Sequence, residues 1–163
     1  MLKIKALVGD ITTQTTDAVV NAANSDLTGG SGVNGAIHHA AGSALPEALR
    51  RIGGCHTGDA VITPGFEMKC RYIIHAVGPV WHGGGLGEEA LLTRCYRACL
   101  DLATKYELSS IAFPSISTGV YGYPPHLAVP VAVRTVKEHA KIPLVRFVAF
   151  DNLMYELFLK EIG

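Results

Sequence analysis

Six strand-like runs interleaved with five helical patterns predict an α/β chain folded as a three-layer sandwich, with helices on both faces of one sheet. Several of the runs are continuously apolar, as strands covered on both faces are. The third observation is length: 163 residues, 1–163, are expected to form a single domain with a core of ordinary size.

The first strand is the alternating run Leu2–Val8, which ends at Gly9-Asp10-Ile11-Thr12. A short strand over Ala18–Val20 leads through Asn21-Ala22-Ala23-Asn24 to the glycine-rich stretch Gly29-Gly30-Ser31-Gly32-Val33-Asn34-Gly35, and helices are predicted over Gly35–Ala41 and Leu45–Ile52. Strands over Ala60–Thr63 and Tyr72–Val77 follow. The longest irregular piece, Gly78–Gly87, contains Trp81-His82-Gly83-Gly84-Gly85 and reads as a flexible loop able to cover a site. Glu88–Tyr106 is the clearest helix, with Ala90, Leu91, Cys95, Ala98 and Leu102 predicted as its buried stripe. The strand Ile111–Pro114 runs into a second bend, Ser115-Ile116-Ser117-Thr118-Gly119-Val120-Tyr121-Gly122-Tyr123-Pro124. Helix Leu127–His139, strand Val145–Phe150 and helix Leu153–Ile162 complete the chain.

Lys plus Arg equals Asp plus Glu at 14 each, so no basic excess drives binding to a polyanion, and nucleic acid is not the expected partner. Cys55, Cys70, Cys95 and Cys99 lack C-x-x-C spacing, which predicts free thiols in a cytoplasmic protein. The N-terminal run is too short and too charged for a signal peptide or a membrane span. The seven histidines offer no metal-binding pair; His38 and His39 are adjacent on a helix and face different ways.

The two bends carry the chemistry. A strand, a bare-backbone turn and a helix N-terminus aim unpaired N–H groups at one point, which is how a neutral chain holds phosphate. Gly30-x-Gly32-x-x-Gly35 matches the dinucleotide fingerprint only as a string, since it does not leave a strand directly and no acidic residue closes the next strand. A single helix cap needs one glycine rather than four in seven residues, each of which costs entropy. The second bend has no Gly-x-Ser-x-Gly elbow and no Gly-Lys-Ser/Thr ending, which removes serine hydrolase and P-loop readings. It offers Ser117 and Thr118 hydroxyls, a turn at Gly119, and Tyr121 either as a wall for a sugar or as core. Asp10, at the carboxyl end of the first strand, is placed either to accept from a base amine or to cap a turn. Of Asn21 and Asn24, one is expected to face sugar hydroxyls and the other to stabilise the loop.

Taken together, Gly9-Asp10-Ile11-Thr12, Val20-Asn21-Ala22-Ala23-Asn24, Gly29–Gly35 with Ala36-Ile37-His38, His75-Ala76-Val77-Gly78-Pro79-Val80-Trp81 and Ile116–Pro124 resemble the macrodomain family, most nearly its deacetylase-like, MacroD-type branch. The resemblance implies a mixed six-stranded sheet between helices, with ADP-ribose in a crevice at the strand ends. Asp10 would hold the adenine amine and the Ile11 N–H the ring, with the other adenine face near Phe150-Asp151-Asn152, so that Asn152 joins the binding set. Gly32, Val33 and Asn34 would line one side of the pyrophosphate and distal ribose, and Ser117, Thr118, Gly119, Val120 and Tyr121 the other. Asn24 would bond a distal-ribose hydroxyl, and Asn24 and Asn34 form the expected catalytic pair. The activity implied is hydrolysis of distal-ribose esters, namely O-acetyl-ADP-ribose and mono-ADP-ribosylated acidic side chains of proteins, by a monomer without metal or cofactor. The family's hydrolases normally carry aspartate where this chain has Asn34. An amide cannot take a proton from water, which points to weakened activity, with the bound pyrophosphate as activating group, or to a reader that binds ADP-ribose without cleaving it.

Overall fold

The computed structural model describes all 163 residues. Six strands form one sheet: β1 (Lys3–Val8), β2 (Ala18–Ala22), β3 (Ala60–Pro64), β4 (Tyr72–Ala76), β5 (Ser110–Phe113) and β6 (Leu144–Ala149). The five helices are α1 (Gly32–Ala41), α2 (Ala44–Ile52), α3 (Glu88–Lys105), α4 (Pro125–His139) and α5 (Asn152–Ile162). A 3-10 turn over Ile11–Thr13, not foreseen in the sequence, follows β1.

The strand order is β1-β6-β5-β2-β4-β3, parallel throughout except for the antiparallel pair β3/β4. The sheet is therefore mixed and the fold is the expected three-layer sandwich. Adjacent residues of one strand point into separate cores: Val19 and Ile73 pack with α1 and α2, whereas Val20 and Ile74 pack with α3, α4 and α5. That two-sided burial explains the continuous apolar runs.

Two local expectations are corrected. The buried stripe of α3 is Leu92, Cys95, Tyr96, Cys99, Leu100 and Ala103, so of the predicted set only Cys95 is buried. The Tyr96 ring is the deciding group: it packs on Phe113, and its hydroxyl accepts from the Ile116 N–H at 3.1 Å, rotating the helix to bring it inward. Helix α1 begins at Gly32, three residues before the predicted start, which puts the end of the glycine-rich stretch, Gly32–Gly35, inside the first turn. All four cysteines are unpaired, and no helix is long and apolar enough to cross a membrane.

Candidate functional site

Because five strands run in parallel, their carboxyl ends lie along one rim, where ligands of open α/β sheets bind. The strand order lays the sequence motifs along that rim. Asp10 and Phe150 close the adjacent strands β1 and β6, tied by Gly9 N–H donating to Ala149 C=O at 3.1 Å. The second bend leaves β5, and the first bend follows β2 beside it. At about 4.8 Å per strand, β1 and β2 are roughly 14 Å apart, so the rim holds an extended ligand rather than a compact one.

At the first bend, the N–H groups of Gly32, Val33 and Asn34 donate to no protein group, as expected in the first turn of a helix. Ser31 makes no side-chain cap and the turn holds no acidic residue, which leaves the positive end of the dipole uncompensated. Gly32 adopts φ +60°, a conformation side chains resist. At the second bend the amides of Ser117, Gly119, Val120 and Tyr121 are likewise without protein acceptors. Thr118 differs: its hydroxyl donates to Ser115 C=O at 2.9 Å, so it shapes the turn.

Ser117 is 6% exposed, stands at φ +71° and leaves its Oγ without a hydrogen-bond partner. Backbone strain combined with an orphaned hydroxyl marks a segment held by its surroundings. Gly78 is part of that hold, since a Cβ there would run into Ser117 Oγ and the Ile116 side chain.

Behind the second bend lies the Gly78–Gly87 segment, and the expectation of a loose cover is corrected. Glu88 accepts from the His82, Gly84 and Leu86 N–H groups at 2.9, 2.9 and 2.7 Å. These bonds, His82 foremost, hold its carboxyl down to about 2 against the opposing effect of desolvation. The Trp81 N–H donates to Tyr121 C=O at 2.8 Å and its ring packs on Tyr123 at 4.5 Å. Tyr123 is the core tyrosine, at 2% exposure, and Tyr121 the half-exposed one.

The polar side chains divide. Asp10 caps the 3-10 turn: Thr12 N–H and Oγ1 both donate to its Oδ1, at 2.8 and 2.7 Å, which depresses its carboxyl and leaves Oδ2 uncommitted. The Ile11 N–H beside it has no protein acceptor. Asn24 is turned to its own loop, donating to Thr28 C=O and accepting the Thr28 N–H, both at 3.0 Å. Asn34 is nearly buried, donating to Thr28 C=O at 2.8 Å and accepting from Asn21 Nδ2 at 2.9 Å. Phe150 is 89% exposed and Val120 88%. Asn152 opens α5, while Asp151 caps that helix by accepting the Met154 N–H at 2.9 Å.

The reading of separate residues missed Asn21 and His75 as partners. Both are fully buried on neighbouring strands, in register with each other. Polar residues in otherwise apolar strands were the available signal.

The macro domain family model matches residues 20–132 of the chain. A macro domain-containing protein of Ralstonia nicotianae is 57% identical over 162 residues, covering 97% of this chain and 95% of that one. One of Chlorobaculum tepidum is 56% identical, covering 98% and 95%. Among solved structures, the Oceanobacillus iheyensis macrodomain with ADP superposes with a TM-score of 0.91 at 45% identity, covering 96% of this chain and 88% of that one. The Trypanosoma brucei macrodomain in complex with ADP-ribose gives 0.90 at 38% identity, covering 98% and 69%.

Proposed function

The chain belongs to the macro domain family, and from that premise we propose that it binds ADP-ribose along the strand-end rim and hydrolyses esters at the distal ribose, in the manner of the MacroD-type branch. The observation that carries the reading is the pair of facing bends on neighbouring strands, seven of whose amides have no protein acceptor. Donors at a helix N-terminus and in a strained turn suit a diphosphate bridging the two.

The rest of the ligand follows from strand order. Adenine lies at the β1/β6 end, its exocyclic amine donating to Asp10 Oδ2, the Ile11 N–H meeting the ring, and Phe150 offering the exposed face on which to stack, with Asn152 alongside. The distal ribose falls at the β2 end, beside Asn24, Asn34 and Tyr121. In the reaction, water attacks the acyl carbon of the ester, the carbon–oxygen bond to the ribose breaks, and the free acid and ADP-ribose leave. Asn34 orients the water; the proton it loses passes to a phosphate oxygen of the bound ligand and from there to the departing ribose oxygen, which leaves as a hydroxyl. A supporting role for phosphate is required because no carboxylate stands at position 34.

A second reading rests on the same residue. Both ends of the Asn34 amide are engaged inside the protein, which suits a neutral reader that captures ADP-ribose without cleaving it. Calorimetric titration with ADP-ribose paired with O-acetyl-ADP-ribose turnover separates the two. Binding with turnover above background is the expected outcome. Binding with an inert ester establishes the reader, and no binding at all ends both readings.

A further inference from the structure

We propose that Asn21 and His75 are positioning residues for this site: a one-way chain of hydrogen bonds, anchored on two backbone carbonyls, fixes the orientation in which the Asn34 amide meets the distal ribose. The inference rests on the ADP-ribose reading for its ligand but not for its bonds.

The chain runs through five bonds. Thr63 Oγ1 lies 3.1 Å from Pro64 C=O and 3.0 Å from His75 Nε2. His75 Nδ1 lies 3.2 Å from Asn21 Nδ2, which is also 2.9 Å from Asn34 Oδ1. Asn34 Nδ2 closes the chain on Thr28 C=O at 2.8 Å.

A carbonyl can only accept, so the ends dictate everything between them. The Thr63 hydroxyl gives its proton to Pro64 C=O and therefore accepts from His75 Nε2–H. That tautomer leaves Nδ1 bare, and Asn21 must present its NH2 to it. From the other end, Thr28 C=O takes an Asn34 amide proton, so Asn34 offers its oxygen to the second proton of Asn21. Asn21 is thus the central double donor, and reversing any one member sets two donors or two acceptors face to face. The arrangement leaves Asn21 Oδ1 buried without a partner. A native fold keeps few such groups, and here the two outward bonds hold the amide against rotation toward a better partner for that oxygen. Burial, helped by nearby His38, takes His75 down to about 3, which keeps the ring neutral as the chain requires. One Asn34 amide proton and one oxygen lone pair remain uncommitted.

Nitrogen NMR of the histidine rings in the full chain tests the bonds directly. The expected result is a protonated Nε2 and a bare Nδ1 on His75; a protonated Nδ1 overturns the proposal. The functional link is tested with Thr63→Val, which removes the acceptor of Nε2–H at nearly constant volume. ADP-ribose affinity is expected to fall about tenfold while affinity for ADP, which lacks the distal ribose, stays within about twofold. Thr63→Ser, which keeps the hydroxyl, retains wild-type affinity for ADP-ribose. Equal losses for the two ligands, or no loss for either, overturn the positioning role. Where Thr63→Val fails to fold, the wild-type tautomer decides alone. A wild-type chain that binds no ADP-ribose overturns the proposed function, and the tautomer still judges the chain of bonds.

Discussion

The two bends present the same kind of group, free amides, but hold them by different means. The first is locked by side-chain amides reaching into the sheet, with Asn34 bound to Thr28 and Asn21. The second is locked by shape: Ser117 in a strained conformation against Gly78, Tyr96 under Ile116, and the Trp81 segment behind Tyr121. The first bend should therefore respond to changes of charge and hydrogen bonding at constant volume, and the second to changes of volume at constant charge.

The largest expected effect is chemical and belongs to the first bend. In Asn34→Asp one carboxylate oxygen still accepts from Asn21, whereas the other loses its donor role toward Thr28 C=O and is repelled by it. Turned toward the rim, it becomes a general base, and O-acetyl-ADP-ribose turnover is expected to rise on the order of 10²-fold, at the low end for a positioned base. An unchanged rate with intact ADP-ribose binding would remove position 34 from the chemistry.

The matching break at the second bend is Gly78→Ala, a change without charge. The added methyl displaces Ser117, and ADP-ribose affinity is expected to fall about tenfold. Adding Ser117→Gly removes the clashing hydroxyl and relieves the backbone but leaves the Ile116 side chain in the way, so the double variant should recover part of the loss. Additive losses would show that the two residues do not act as a pair. A smaller effect, about fivefold, is expected for Asp10→Ala on ADP-ribose with ribose 5-phosphate unaffected, because only the former carries the adenine that Oδ2 would hold. Equal losses for both ligands would contradict that placement.

The same contrast explains what the sequence made readable. Every helix and strand was legible to within about three residues, because apolar periodicity is local, and so were both bends, because glycine excess is local. The hold on each bend was not. Asn21 meets His75 only through the β2/β4 register, and Asn34 meets Asn21 across 13 positions. Tyr121 and Tyr123 are two residues apart in an irregular turn, where no period says which one is buried. Glu88 reads as an ordinary acidic residue in the first turn of a helix; that its carboxylate gathers three amides of the preceding loop depends on how the glycines of that loop fold back.

Glu88 gives the mildest test, since it supports the second bend at one remove and does so by charge. Its carboxyl sits at about 2 in the folded protein against an ordinary 4.5. Above pH 4.5 both folded and unfolded chains carry the carboxylate and its stabilisation is fully present. Between 4.5 and about 2 the unfolded chain takes the proton first, so stability falls as the pH falls. His75 works in the same direction from 6.5 down to about 3, because burial keeps it neutral when folded, but it does so with or without Glu88. The difference between wild type and Glu88→Gln therefore isolates the carboxylate: the variant should lose the extra acid slope below pH 4.5. The glutamine NH2 would face a loop N–H, loosening the loop and with it the Trp81 bond to Tyr121. Trp81 is the only tryptophan, so its fluorescence should shift to longer wavelength at neutral pH while ADP-ribose affinity weakens by about twofold to threefold. An unshifted emission and an unchanged acid slope would mean that packing alone holds the loop, making the second bend a matter of shape throughout.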